Sequence, residues 1–169
     1  MDINWILETT LNFMTTYLGW LFLVVVLGFA LFAVLLALSR YGNVKLGQPE
    51  DEVEYGNLSW FAMLFSAGMG IGLVFWSIAE PLSHYSNPPL GEAFSQEATY
   101  VAMRYTFFHW GVHPWAIYSI VGLSLAYFTY RKGMPMLISS AFTPLLGNRV
   151  NGVAGKVLDL LAVFATIIG

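Results

Sequence analysis

The sequence contains no cysteine, which excludes disulfides, thiolate metal ligands and a cysteine nucleophile. It is also poor in charge. Seven Lys and Arg and ten Asp and Glu make up only 10% of its 169 residues, where an average soluble domain carries about 25%. So few charges cannot coat a globular surface, even though the length would suit one soluble domain. The net charge of -3 and the lack of any basic stripe argue against nucleic acid as a partner. What the chain does have is apolar: 57% hydrophobic and 17% aromatic residues, with a mean hydropathy of +0.66. A disordered chain is excluded by the same composition.

Leu18–Leu38 is 21 residues without a charge. That exceeds the ~18 apolar residues read as a transmembrane helix. The segment before it holds Asp2 and Glu8 but no Lys or Arg, the wrong sign for a secretory signal peptide. Three further apolar segments follow: 58–79, broken by glycines; 106–128, interrupted by His109, His113 and Pro114; and 153–169. The expected fold is therefore an all-α integral membrane bundle of about four transmembrane helices, with the lipid bilayer as its first partner. The last segment is still apolar at Gly169, and the first opens without flanking positive charge. Both ends read as cut, so 1–169 is expected to be one incomplete domain. Basic residues set the orientation. Arg40 and Lys45, and then Arg131, Lys132 and Arg149, place the 39–57 and 129–152 loops in the cytoplasm and the 81–104 loop outside. In that outer loop, which reads from Pro81 to Gly91, the paired Pro88-Pro89 and Gly91 oppose a regular helix, while 93–104 suits a short amphipathic one.

The second segment contains Ser66-Ala-Gly68-Met69-Gly70-Ile71-Gly72. Each glycine costs a helix roughly 1 kcal/mol relative to alanine. One reading is close helix packing, because Gly68 and Gly72 form a GxxxG pair. The other is a helix that unwinds at membrane depth, which is tolerated only where the freed backbone lines a cavity. Carbonyls there coordinate a cation, and amides face an anionic group.

The third segment contains His109-Trp110-Gly-Val-His113-Pro114-Trp115-Ala-Ile-Tyr118. On an ideal helix Trp110, Trp115 and Tyr118 share an arc of about 140°, which Pro114 would distort locally. The plain reading is a belt of interfacial or lipid-facing aromatics. The functional one is an aromatic box for a quaternary ammonium, which cannot donate a hydrogen bond but gains about 2 kcal/mol per desolvated cation–π contact. His109 and His113, four apart, share a helix face at the spacing of a metal pair, but no Asp or Glu lies close to them in the sequence, so they read as packing or hydrogen-bonding residues of the bundle and a transition metal is not expected. Glu80-Pro81 is read either as an interfacial helix end or as a gating or ion-pairing carboxylate. Lys156 and Asp159 either pair with each other or reach another helix.

Gly68-Met-Gly-Ile-Gly72, Phe75-Trp76, Ala79-Glu80-Pro81 and Phe107-Phe-His-Trp-Gly-Val-His-Pro-Trp-Ala-Ile-Tyr118 together resemble the betaine/choline/carnitine transporter family. So do Ser39-Arg-Tyr-Gly42, Lys45-Leu-Gly47, Leu137-Ile-Ser-Ser140 and Pro144-Leu-Leu-Gly147. The resemblance covers nearly the whole chain. It implies part of a LeuT-like core of two inverted repeats, in a multi-pass protein of the plasma membrane, bacterial inner membrane included, and a trimer in the complete protein. It implies an aromatic box of Trp110, Trp115 and Tyr118, and a substrate site lined by Gly68, Met69, Gly70 and Gly72. One sodium site would use Ser66 and Met69, and a second Thr166. Gly72 stands where choline-selective relatives carry an acidic residue, which points to a zwitterion, glycine betaine first and proline or ectoine next.

The function so implied is sodium-coupled uptake of glycine betaine for osmoprotection, with sodium as coupling ion, no cofactor and no enzymatic activity. The site lacks the helices that would complete it, so the chain alone is expected not to transport. The rival reading is a non-transporting membrane subunit, or truncated remnant, that needs a partner chain. A metal-dependent membrane enzyme comes third.

Overall fold

The computed structural model describes residues 3–168, with side-chain surroundings for 5–67, 69, 70 and 72–167. The described residues form helices and short helical turns and contain no strand. They divide into two compact units, 51–115 and a second made of 1–50 with 116–169. Gly169, the end of the fourth predicted span, lies outside the described residues.

The larger unit opens with α1, Ile3–Leu38, 36 residues long. Sequence reading begins a span at Leu18, whereas the helix begins at Ile3. Extending a helix costs little once it is nucleated, and polar residues in its first turns remain helical. Thr15, for example, returns its hydroxyl to the Leu11 carbonyl at 2.9 Å. The stretch from Trp5 to Leu38 is long and apolar enough to cross a membrane. At about 1.5 Å per residue it exceeds a hydrocarbon core of about 30 Å. Ser39 ends it. Its hydroxyl donates to Leu36 O and accepts from Tyr41 N, starting the 3-10 turn Arg40–Asn43.

In the same unit, the loop after that turn meets the chain near residue 130. Gln48 donates to Tyr130 O at 3.3 Å, and Arg131 donates to Gly47 O at 3.3 Å. Tyr127–Arg131 is a π turn, a widened geometry that the following Gly133, at φ 64°, closes. Two one-turn helices, α6 (Ile138–Ala141) and α7 (Thr143–Leu146), then lead to α8, Val153–Ile168. Asp159 of α8 accepts from both the backbone N–H and the hydroxyl of Ser139, at 2.9 and 2.8 Å, and so caps α6. Of the two readings of Asp159, contact with another helix is the one observed.

The smaller unit holds α2 (Asn57–Met69), α3 (Ile71–Ser86), α4 (Gln96–His109) and the start of α5 (Val112–Ala126). The second predicted span is two helices, not one. The chain breaks at Gly70, whose ψ of −138° leaves the helical region, and the two pieces meet at 43°. A Cβ on Gly70 would lie 3.0 Å from Ser66 O, so a side chain would crowd the end of α2.

Pro81 does not end α3, contrary to the expected loop. The helix continues to Ser86 and stops before Pro88-Pro89. Proline removes only one helical hydrogen bond and is tolerated where packing compensates. Here that packing is α4, which lies along α3. Its buried face is Ala98, Val101 and Ala102, small residues at helical spacing that let two backbones approach closely. Ser95 caps α4 by accepting from Ala98 N at 3.0 Å. Tyr85 secures the turn between them, donating to Phe94 O at 2.9 Å and meeting the Phe94 ring edge-on.

The third predicted span is also interrupted. α4 ends at His109 and α5 starts at Val112, so the ideal-helix arc drawn through Trp110, Trp115 and Tyr118 does not apply. Gly111 makes the break: a Cβ there would lie 2.8 Å from Phe107 O. Pro114 sits in the first turn of α5, where its missing N–H would have had no helical partner. It starts a helix and does not kink one.

Candidate functional site

A polar cluster of the smaller unit is built on Glu80. This residue lies past the middle of α3 and is 6% exposed. A carboxylate in an apolar helix is stable only when its oxygens find donors. Glu80 finds three. Its Oε1 lies 2.8 Å from His109 Nδ1 and 3.5 Å from His84 Nε2. Its Oε2 accepts from the Trp110 indole N–H at 2.7 Å. An ionised carboxylate only accepts, so the nitrogen of His109 facing it is the protonated one. His84 shares the helix face of Glu80, one turn on, and packs against the Tyr105 ring at 5.7 Å.

Trp110 occupies the break between α4 and α5. Its indole N–H is held by Glu80, its ring lies 5.5 Å from that of His109, and its carbonyl accepts from the Trp115 indole N–H at 3.1 Å. Both indole donors of the predicted aromatic box are therefore directed at protein acceptors. An indole with its donor engaged offers a ligand its π surface, the part that attracts a cation without hydrogen bonds.

The remaining predicted residues are placed as follows. Met69 is half-buried in the last turn of α2, Gly70 forms the break, and Gly72 lies in the first turn of α3 with open space where a Cβ would be. Gly68 lies outside the residues whose surroundings are described. The break leaves the last carbonyls of α2 and the first amides of α3 without partners inside their own helices. Ser66 is exposed on α2. Tyr118 belongs to the other unit and is 70% exposed. Thr166, also in that unit, donates to Ala162 O at 2.8 Å. It lines a cavity of about 290 Å³ together with Asp159, Met136 and Ile138.

His109 and His113 do not share a face. The break lies between them, with His109 on Glu80 and His113 against the Phe108 ring at 4.8 Å. Among the described residues no three His, Asp or Glu side chains are grouped to hold a metal ion. Sequence reading missed His109 and Trp110 as partners of Glu80 because they lie 29 and 30 residues away, beyond any helical or strand period. The available signal was a carboxylate in an apolar run near a cluster of N–H donors.

The family model for betaine/carnitine/choline transporters matches residues 1–169. The chain is 56% identical over 156 residues to a probable glycine betaine transporter of Desulfitobacterium hafniense, covering 92% of this chain and 32% of that protein. It is 56% identical over 158 residues to the glycine betaine transporter OpuD of Bacillus subtilis, covering 93% and 31%. It is 43% identical over 166 residues to the osmo-dependent choline transporter BetT2 of Acinetobacter baylyi, covering 98% and 24%. The chain thus spans about a third or less of the length of these relatives, and the proteins it resembles are transporters, not enzymes. On the match of the family model along its whole length, this chain belongs to the betaine/carnitine/choline transporter family.

Proposed function

We propose that this chain is part of a secondary active transporter that takes up glycine betaine, coupled to sodium, for osmoprotection. The observation that carries the substrate class is the engagement of both indole N–H groups, on Glu80 and on the Trp110 carbonyl. Those tryptophans are left to recognise a ligand through π surface, which suits a trimethylammonium group. The break at Gly70 supplies the second half of the reading. Amides at the start of α3 suit the substrate carboxylate, and carbonyls at the end of α2 suit a cation. Ser66 and Met69 are the proposed oxygen donors of one sodium site, Thr166 of another, and Tyr118 a further wall of the aromatic box. Gly68, Met69, Gly70 and Gly72 line the substrate path in this reading.

Sodium coupling follows from the charge on the substrate. A zwitterion has no net charge, so the membrane potential cannot concentrate it alone. Each co-transported sodium adds about 2.3 kcal/mol per 100 mV. The setting is a multi-pass protein of the plasma membrane, with a LeuT-like core and a trimeric assembly. The contacts of Gln48 with Tyr130 and of Arg131 with Gly47 support the topology, because they join two loops expected on one face of the membrane.

The test is uptake of labelled glycine betaine by the full-length transporter in proteoliposomes, with sodium gradients imposed and removed. Accumulation that needs inward sodium supports the reading. Accumulation that persists when potassium replaces sodium on both sides overturns the coupling. Failure to transport any of betaine, choline, proline or ectoine overturns the substrate class.

A further inference from the structure

We propose that Glu80 is a positioning residue for substrate recognition: its carboxylate fixes the indole of Trp110, so that the ring presents one face to the ammonium group. The inference rests on the reading of Trp110 as a substrate-binding residue. It adds a residue that touches no substrate yet sets affinity.

Trp110 lies in the two-residue break between α4 and α5, partly buried, with its ring 5.5 Å from that of His109. A tryptophan on such a hinge has two side-chain torsions to settle. Cation–π attraction depends on the cation lying over the ring face, so a freely rotating ring loses much of it. The contact to Glu80 Oε2, at 2.7 Å, is a charge-assisted hydrogen bond, shorter and stronger than a neutral one. Glu80 is itself immobilised. It is 6% exposed, on a helix packed along α4, and its other oxygen is engaged by His109 and His84. The chain of support therefore runs from α3 through one carboxylate to the ring at the hinge.

The experiment measures betaine KM and kcat for the full-length transporter in proteoliposomes, with Glu80→Ala, Glu80→Gln, Glu80→Asp and Trp110→Ala. Glu80→Ala is expected to raise KM about tenfold, with kcat within about twofold, because a loosened ring weakens binding but leaves the transport steps intact. Glu80→Gln is expected to rescue most of that loss. Its amide oxygen still accepts from the indole, and its amide nitrogen donates to His109 in the other tautomer. Glu80→Asp keeps the charge but is one methylene short of both donors, and it is expected to behave like the alanine variant. Full activity in Glu80→Asp with loss in Glu80→Gln would overturn the proposal, since charge and not reach would then matter. A fall in kcat at unchanged KM would overturn it too. If Glu80→Ala does not fold, the Gln and Asp pair decides alone. Trp110→Ala separates the two readings. An unchanged KM there removes Trp110 from the substrate site, whereas a large KM rise with a silent Glu80 series leaves the site standing and removes only the positioning role.

Discussion

At the scale of single residues, the aromatic assignments make the sharpest demands. In the proposed aromatic box, Trp110→Ala and Trp115→Ala would each delete a cation–π surface worth about 2 kcal/mol when desolvated, which converts to roughly a 30-fold loss of affinity. Betaine uptake by the full-length transporter should fall by that order in each variant, and unchanged uptake in both would remove the aromatic box. Gly72 makes the complementary prediction. A Cβ there meets nothing within 4 Å, so Gly72→Asp fits and brings a carboxylate to the first turn of α3, where negative charge is favoured. Choline, a cation without a carboxylate of its own, should gain uptake relative to betaine. Competition of the two labelled substrates would show it, and no gain in choline uptake counts against the role given to this position. The candidate residues that the sequence alone put forward were those in runs, the glycines of 68–72 and the aromatics of 110–118. Glu80 was open to two readings, and only the fold, by laying α4 along α3, brings His109 and Trp110 to it.

At the scale of elements, composition located the helices but not their joints. The break at Gly70 was readable because three glycines in five residues weaken a helix from within. The break at Gly111 was not, because a single glycine beside a proline reads as a kink. The structure shows the reason for it. Proline occupies a permitted first-turn position, and the glycine makes the close approach to Phe107 O at 2.8 Å. Pro81 is the converse case, a breaker by local rules that packing against α4 overrides. A paired substitution tests this account. Gly111→Ala drives a methyl group into a backbone carbonyl and should cost about 1–3 kcal/mol, as overpacking does. Gly28→Ala in α1, where a Cβ meets nothing within 4 Å, should be neutral or stabilise by about 0.5–1 kcal/mol, the usual gain for a helix interior. Thermal unfolding of the two variants in detergent would read both signs. Equal shifts would mean that the hinge does not need its glycine.

At the scale of the whole molecule, the decisive feature is how little is buried. Among the described residues the buried apolar side chains are Ala98, Val101, Ala102 and Ala116, all small. Trp20, Phe32, Phe75, Phe107 and Phe164 are each about half exposed or more. Burying a large apolar side chain contributes about 1.5–3 kcal/mol, so a chain that leaves most of its phenylalanines and tryptophans exposed gains little of this within itself. Lipid, or other helices of a membrane protein, must take that surface, which is the role composition assigned when it showed too few charges to coat a globule. Family membership could be read from the same residues, because the two motif-bearing segments survive as strings even though each is folded as a pair of helices. The physical consequence can be checked on residues 1–169 alone. Expressed and extracted, the segment should remain dispersed and helical above the critical micelle concentration of a mild detergent, and should aggregate when the detergent is diluted below it. Circular dichroism with light scattering across that dilution follows both properties at once. A segment that stayed monodisperse and helical in plain buffer would have to bury these aromatic faces against one another, in an arrangement different from the one described.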